Sequence, residues 1–270
     1  MQHIDFLYRV DDFMETLIET YGVSDLSIVA DALERCFQPF LYSSARSKRL
    51  RCKLRRVDSP VEESAPVADP LRLEQDLQDV VERMHRHPIS NASERDRQWY
   101  SLELYDFLIA QLEQLDSELP EIVAPGQVHK WVTDVGARSV GTKYMFAMFT
   151  CLVSAEEGKS PWRTASSLYL AQEFAQQISV EFRLLNDVGG RVRDRRDGTM
   201  SSCTLVHDGE YTELLKIADY AAEGSAVLLE RLAGTTTDER RTRALLEMFR
   251  KSVRLSGELY MADEPNRVAS

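Results

Sequence analysis

The chain has 270 residues, of which 43% are hydrophobic, enough to build one sizeable core in a single domain. Its formal net charge of −11 excludes a whole-chain basic field, so no nucleic-acid partner is expected. An anionic substrate would therefore need metal ions or a local basic patch. The amino terminus lacks the apolar core of a signal peptide, and no apolar run reaches the roughly 20 residues of a membrane span. We expect a cytoplasmic protein with no membrane span.

The cysteine and histidine patterns give no support to several other classes of protein. The four cysteines are far apart and form no CxxC pair, which indicates free thiols in a reducing compartment. The five histidines form no HExxH motif, and the chain has no GxSxG motif. Zinc-dependent hydrolysis and serine hydrolysis therefore have no support in the sequence.

Apolar residues recur along the chain at helical spacing, and strand-like alternation persists nowhere. This spacing predicts helices over 4–21, 24–42, 71–87, 94–117, 127–155, 161–196, 210–233 and 236–262. Pro88 is expected to stop the third helix, and Gly136 and Gly141 to weaken the fifth. Residues 43–69 carry a basic run and then an acidic, proline-containing stretch, which predicts a mobile insertion. The sequence predicts an all-α fold in one domain over 1–270.

The first acidic motif is DDFME at 11–15, in the first predicted helix. Asp11 and Glu15 are four residues apart and share a helix face, where like charges repel. Partial burial among the surrounding apolar residues would strengthen this repulsion. A divalent cation would resolve the conflict, because magnesium binds carboxylate, water and phosphate oxygens. A DDxxE run also arises by chance, so the motif alone is a weak signal.

The second motif is NDVGGRVRD at 186–194, at the end of a strongly apolar helical stretch. Asn186, Gly190 and Asp194 are spaced i, i+4 and i+8 and form one stripe. Asparagine and aspartate are poor helix formers, so their position here suggests a function. The basic side chains around the motif suit a diphosphate and are Arg183, Arg191, Arg193, Arg195 and Arg196. Together, the two motifs predict a metal-dependent site.

This pair of motifs resembles the two magnesium-binding motifs of class I terpene synthases, the DDxxD/E motif and the downstream NSE/DTE motif. Residues 141–153 and 182–195 resemble the C-terminal class I region of fungal bifunctional diterpene cyclases of the copalyl diphosphate/ent-kaurene synthase type. The resemblance is best over 1–42 and 127–262. It implies the helical bundle of the isoprenoid synthases, with the two motifs facing each other at the mouth of a deep apolar pocket.

The resemblance also implies roles for individual residues. Asp11 resembles the carboxylate that bridges two magnesium ions, with Asp12 and Glu15 in support. Asn186 and Asp194 resemble the ligands of a third ion. The family often has Ser or Thr in place of Gly190, and glycine there removes a side-chain ligand. The implied catalytic and metal residues are Asp11, Asp12, Glu15, Asn186, Gly190 and Asp194.

Arginines are the candidate substrate-binding residues. Arg138 is placed like the diphosphate-sensing arginine of some class I enzymes, although a surface arginine is an equally good interpretation. Around the second motif, Arg183, Arg193 and Arg195 are the other candidates. These positive charges would help to hold a highly anionic leaving group.

The implied activity is that of a lyase. Magnesium-dependent ionisation of a prenyl diphosphate would be followed by cyclisation of the carbocation, giving a labdane-related or kaurene-type diterpene from copalyl diphosphate. A sesquiterpene cyclase acting on farnesyl diphosphate and a non-catalytic helical remnant are the alternatives. No DxDD motif is present, so protonation-initiated cyclisation is not expected. The first motif begins about ten residues after Met1, which predicts an N-terminally truncated chain that has lost an upstream region or works as a homo-oligomer.

Overall fold

Every regular element in the described part of the chain is a helix, which confirms the predicted all-α class. The computed structural model describes residues 9–17, 26–41, 70–115, 126–206, 211–236 and 238–267. The helices are α1 (9–17), α2 (Leu26–Phe37), α3 (Pro70–Asn91), α4 (Glu94–Leu115), α5 (Gln127–Lys130), α6 (Ala137–Ser139), α7 (Thr142–Glu157), α8 (Ala165–Asp197), α9 (Tyr211–Ala233) and α10 (Glu239–Arg267). A 3-10 turn, Gln38–Phe40, follows α2, and a π-helical turn, Trp131–Gly136, joins α5 to α6.

The chain divides into two compact units. The first comprises Met1–Asp116 and Ala147–Ser160, and the second comprises Ser117–Phe146 and Pro161–Ser270. The predicted insertion at 43–69 lies outside the described residues. Among the residues that are described, no helix is both long and apolar enough to cross a membrane.

In the first unit, α2 packs against α3 and α4 with a stripe of apolar side chains at helical spacing. Val29, Leu33 and Phe37 belong to this stripe and are each fully buried. At the edge of this contact, Arg35 donates from Nε to a carboxylate oxygen of Glu74 on α3 at 2.9 Å. The helical stripe and the ion pair together fix how α2 lies on α3.

Pro88 does not stop α3, so that prediction is wrong. The helix runs on to Asn91 with the proline inside it. The cost of a proline is a missing N–H donor and a crowded preceding turn. Only three helical residues follow Pro88, and its carbonyl still accepts the amide of Ala92 at 3.1 Å. Both costs fall on the turn before Pro88, so they do not prevent the residues after it from continuing the helix.

In the second unit, the long helix α8 is the central element, and α9 and α10 both pack along it. Thr164 caps the start of α8 by accepting the amide of Ser167 at 3.0 Å, and Ser167 completes the capping box. Gly198 ends the helix with a φ of 68°, a left-handed conformation that favours glycine. Buried side chains of α8, such as Leu184 and Val188, belong to the core of this unit.

The predicted helix over 127–155 is interrupted where the glycines stand. The π-helical turn ends at Gly136, and Gly141 separates α6 from α7 with a φ of 74°. Gly136 also lies under a side chain of α8, since a Cβ there would be 2.9 Å from Cγ of Arg183. The predicted weak points are therefore confirmed, and one of them allows a close packing contact.

The described cysteines are free and buried, as the sequence predicts for Cys36, Cys151 and Cys203. Cys52 lies outside the described residues. Burial raises the pKa of Cys36 and of Cys203 to about 12, so neither thiol is a reactive thiolate at neutral pH.

Candidate metal and diphosphate site

The first acidic motif lies on helix α1, in the first unit. Its apolar neighbours form the inner face, where Val10 and Met14 are almost completely buried. Asp11, Asp12 and Glu15 are all exposed. The expected partial burial of these carboxylates is therefore wrong, because α1 turns its apolar side chains inward and its acidic side chains to solvent. Water screens their mutual repulsion, so it is weaker than the sequence argument assumed.

The second motif is helical throughout and occupies the last turns of α8, in the second unit. Asn186 and Gly190 are half-buried, whereas Asp194 is only 5% exposed. Burial raises the pKa of the Asp194 carboxyl to about 6, and the negative charge of Asp187 adds to this shift. The positive charges of Arg183 and Arg193 oppose it. The stripe therefore ends on a carboxylate that is costly to keep ionised without a nearby cation.

Asp187, the residue after Asn186, is the most enclosed acidic group of the motif. It is 1% exposed and forms an ion pair with Arg183, one turn earlier on α8. Its other oxygen, Oδ2, accepts the backbone amide of Ser202 at 2.8 Å. Asp187 thus binds two protein groups, and neither contact lies on the stripe of predicted metal ligands.

Arg183 is held inside the protein and does not project from the motif. Its side chain is 8% exposed, and its guanidinium carbon lies 5.6 Å from the centroid of the Trp131 ring. Gly136 leaves room for the aliphatic stem, as described above. Of the predicted diphosphate-binding arginines, Arg183 is therefore already engaged by Trp131 and Asp187.

The other predicted arginines differ in their exposure and in the groups that they contact. Arg138 forms an ion pair with Asp134 one turn earlier, with Nη2 and Oδ1 2.9 Å apart. Arg193 is about half exposed, at 51%, and its Nη2 lies 3.6 Å from Oδ1 of Asp194. Arg195 is exposed and lies over the ring of Tyr211, with 5.6 Å between its guanidinium carbon and the ring centroid. Arg193 and Arg195 thus add exposed positive charge at the end of α8.

The oxygen donors of the second motif fit a hard cation in part. Asn186 and Asp194 offer an amide and a carboxylate, and Gly190 offers no side-chain donor. In the described part of the chain, no cluster of three or more His, Cys, Asp or Glu residues is arranged to hold a metal. A magnesium ion here would need water or phosphate oxygens to complete its shell. The buried carboxylate of Asp194 is the feature that favours a cation, since a positive charge would offset its burial.

Asp187, Trp131 and Tyr211 are not among the residues predicted from the sequence to have a role at the site. Arg183 and Asp187 are four residues apart on a helix, a spacing that predicts an ion pair. The contacts of Trp131 and Tyr211 join elements distant in sequence, and no local pattern reveals them.

Two fungal diterpene synthases are similar to this chain. The ent-kaur-16-ene synthase of Phaeosphaeria sp. (strain L487) is 30% identical over 166 residues, which cover 60% of this chain and 17% of that protein. The pimaradiene synthase of Emericella nidulans is 21% identical over 298 residues, covering 96% of this chain and 30% of that protein. The chain therefore spans less than a third of either relative's length. No protein-family model and no solved structure matches it. These similarities support the resemblance to terpene synthases.

Proposed function

We propose that this chain ionises a prenyl diphosphate with the help of magnesium and cyclises the resulting carbocation to a diterpene. The similarity to two diterpene synthases supports the general chemistry. Of the possible products, a kaurene-type or other labdane-related diterpene from copalyl diphosphate is preferred, because an ent-kaurene synthase is the relative with 30% identity.

The observation that carries the proposal is the stripe that ends at Asp194. Asn186 is half-buried, and Asp194 has a buried carboxylate whose pKa is raised to about 6. These two side chains would hold magnesium on α8, and Asp11, supported by Asp12 and Glu15, would hold further ions on α1. Bound magnesium would neutralise the diphosphate as it leaves the allylic carbon.

The chain's own cations would assist this step. Arg193 and Arg195 are exposed beside the motif, and a phosphate oxygen would compete with Asp194 for the guanidinium of Arg193. Arg183 contributes positive charge from inside the protein, while Arg138 would have to release Asp134 to reach a ligand. We therefore assign direct diphosphate contacts to Arg193 and Arg195 first.

The test is product formation by the purified chain. The protein is incubated with magnesium and, separately, ent-copalyl, geranylgeranyl and farnesyl diphosphates, and hydrocarbon extracts are analysed by gas chromatography–mass spectrometry. A magnesium-dependent diterpene from ent-copalyl diphosphate is the expected result. A product from farnesyl diphosphate alone would instead identify a sesquiterpene cyclase. Absence of any product from folded, monodisperse protein would contradict the proposal for this chain.

A further inference from the structure

The segment 199–206 folds back along α8 after the helix ends. The amide of Thr199 donates to the carbonyl of Asp194 at 2.8 Å, which starts the reversal. Met200, Cys203 and Leu205 are then buried in the core of the second unit. The segment is therefore packed against the helix that carries the second motif.

This segment contributes to the environment of Asp194. Ser201 is fully buried in this segment, and its side chain opposes, by a smaller effect, the rise that burial causes in the pKa of the Asp194 carboxyl. The next residue, Ser202, donates its amide to Asp187 at 2.8 Å. The Ser202 amide therefore links the segment beside Asp194 to the second residue of the motif.

From this arrangement we infer that Asp187 is a positioning residue. It holds the segment 199–206 against α8 through the Ser202 amide, and so fixes the surroundings in which Asp194 binds magnesium. The part that concerns magnesium rests on the proposed function, whereas the hold on the segment does not. Asp187 itself has no contact with substrate or metal in this role.

If Asp187 had a purely structural role, it would serve only to neutralise the buried guanidinium of Arg183. The buried side chains of Met200, Cys203 and Leu205 would then hold the segment without it. The single variant Asp187→Ala cannot separate these roles, because it also leaves Arg183 buried without its carboxylate. The Arg183 charge must therefore be removed in every variant that is compared.

Two double variants form a matched pair. Arg183→Met with Asp187→Asn removes both charges and keeps a side-chain oxygen that can accept the Ser202 amide. Arg183→Met with Asp187→Ala removes both charges and that acceptor. The two proteins differ in this hydrogen bond and in the bulk of one amide group, and loss of the hydrogen bond corresponds to about a fivefold to tenfold change in local opening.

Hydrogen exchange of the metal-free proteins tests the hold on the segment. We expect amides of 199–206 to exchange roughly tenfold faster in the alanine variant than in the asparagine variant. Amides in the middle of α9 serve as the internal control and should exchange equally in the two proteins. Equal exchange over 199–206 would overturn the inference, because the hydrogen bond would then have no part in holding the segment.

Magnesium-dependent thermal stabilisation, with inorganic diphosphate as the probe, tests the effect on Asp194. The magnesium concentration for the half-maximal shift should be about fivefold higher in the alanine variant. Faster exchange over 199–206 together with an unchanged magnesium concentration for the half-maximal shift would overturn the positioning role. If wild-type protein shows no shift with magnesium, the magnesium part falls together with the proposed function, while the exchange result still decides what Asp187 holds.

Discussion

Gly189 lies directly against the main chain of Tyr260, where α8 meets α10. A Cβ atom at position 189 would be 2.8 Å from the carbonyl carbon of Tyr260 and 2.9 Å from its oxygen. Its neighbour Gly190 faces side chains of its own helix instead, with 3.4 Å between its Cβ position and Oδ1 of Asp194. The two adjacent glycines therefore have different surroundings. Gly189 allows α8 and α10 to cross closely, and Gly190 lies beside the candidate site.

The first prediction compares alanine at these two positions. Gly189→Ala should lower the free energy of unfolding by about 2 kcal/mol, because two backbones would have to move apart. Gly190→Ala should raise it by up to about 1 kcal/mol, because alanine favours the helix and its Cβ would make only ordinary contacts with the side chains of Arg193 and Asp194. Urea denaturation of both variants measures the difference. Equal stabilities would show that the crossing is looser than the 2.8 Å approach implies.

The second prediction uses serine in place of Gly190. Serine adds a hydroxyl oxygen between Asn186 and Asp194 on the stripe, and its Cβ fits without moving backbone. If the stripe binds magnesium, the magnesium concentration for half-maximal activity should be about threefold or more lower in Gly190→Ser than in the wild-type protein. Gly190→Ala has the same Cβ and lacks the oxygen, which makes it the control. Identical magnesium dependence of the two variants would argue against a metal at this stripe.

The helices were largely predictable from sequence because apolar spacing and capping residues act locally. The long helix α8 begins after Thr164 and ends before Gly198, close to its predicted bounds of 161–196. The breaks at Gly136 and Gly141 were predictable for the same reason. Pro88 was misjudged because a proline disturbs the turn before it and does not prevent the residues after it from remaining helical.

The residues of the candidate site could be predicted from the sequence, but the exposure or burial of their side chains could not. The i, i+4, i+8 stripe could be read from spacing alone. The exposure of Asp11 and the burial of Asp194 could not, because both depend on which tertiary contacts cover each helix. Asp194 is buried alongside the segment 199–206, whose path depends on core contacts and not on a local pattern.

The third prediction concerns Glu181, which is buried in the second unit at 1% exposure. Its carboxylate pairs with Arg254 at 2.9 Å, and Arg254 also pairs with Asp219 and Glu258. Glu181→Gln should change the free energy of unfolding at neutral pH by less than about 1 kcal/mol, because desolvation offsets much of the attraction. Arg254→Met should cost about 2 kcal/mol, because it leaves a buried carboxylate without its main partner. Urea denaturation at pH 7 compares the two variants.

The same residue gives a pH dependence. Burial raises the pKa of Glu181, and the hydrogen bond and charge of Arg254 only partly oppose it. A carboxyl whose pKa is higher in the folded state binds more protons there, so its stabilising contribution is full below the unfolded pKa. That contribution is lost as the pH rises through the folded pKa. As the pH rises above the ordinary glutamate pKa of about 4, wild-type protein should therefore lose stability relative to Glu181→Gln. A constant difference between the two as the pH rises would contradict the assigned cause.

The fourth prediction separates function from stability at the first motif. Asp11 is exposed, so Asp11→Ala should change the free energy of unfolding by no more than about 0.5 kcal/mol. If Asp11 binds magnesium as proposed, turnover should nevertheless be lost. Asp76→Ala removes another exposed carboxylate, on α3 of the same unit, and should keep full activity. Calorimetry and product analysis are run on both proteins with the same magnesium concentration. Near-wild-type turnover by Asp11→Ala would remove this motif from the metal site, whereas equal losses in both variants would indicate a general effect of surface charge.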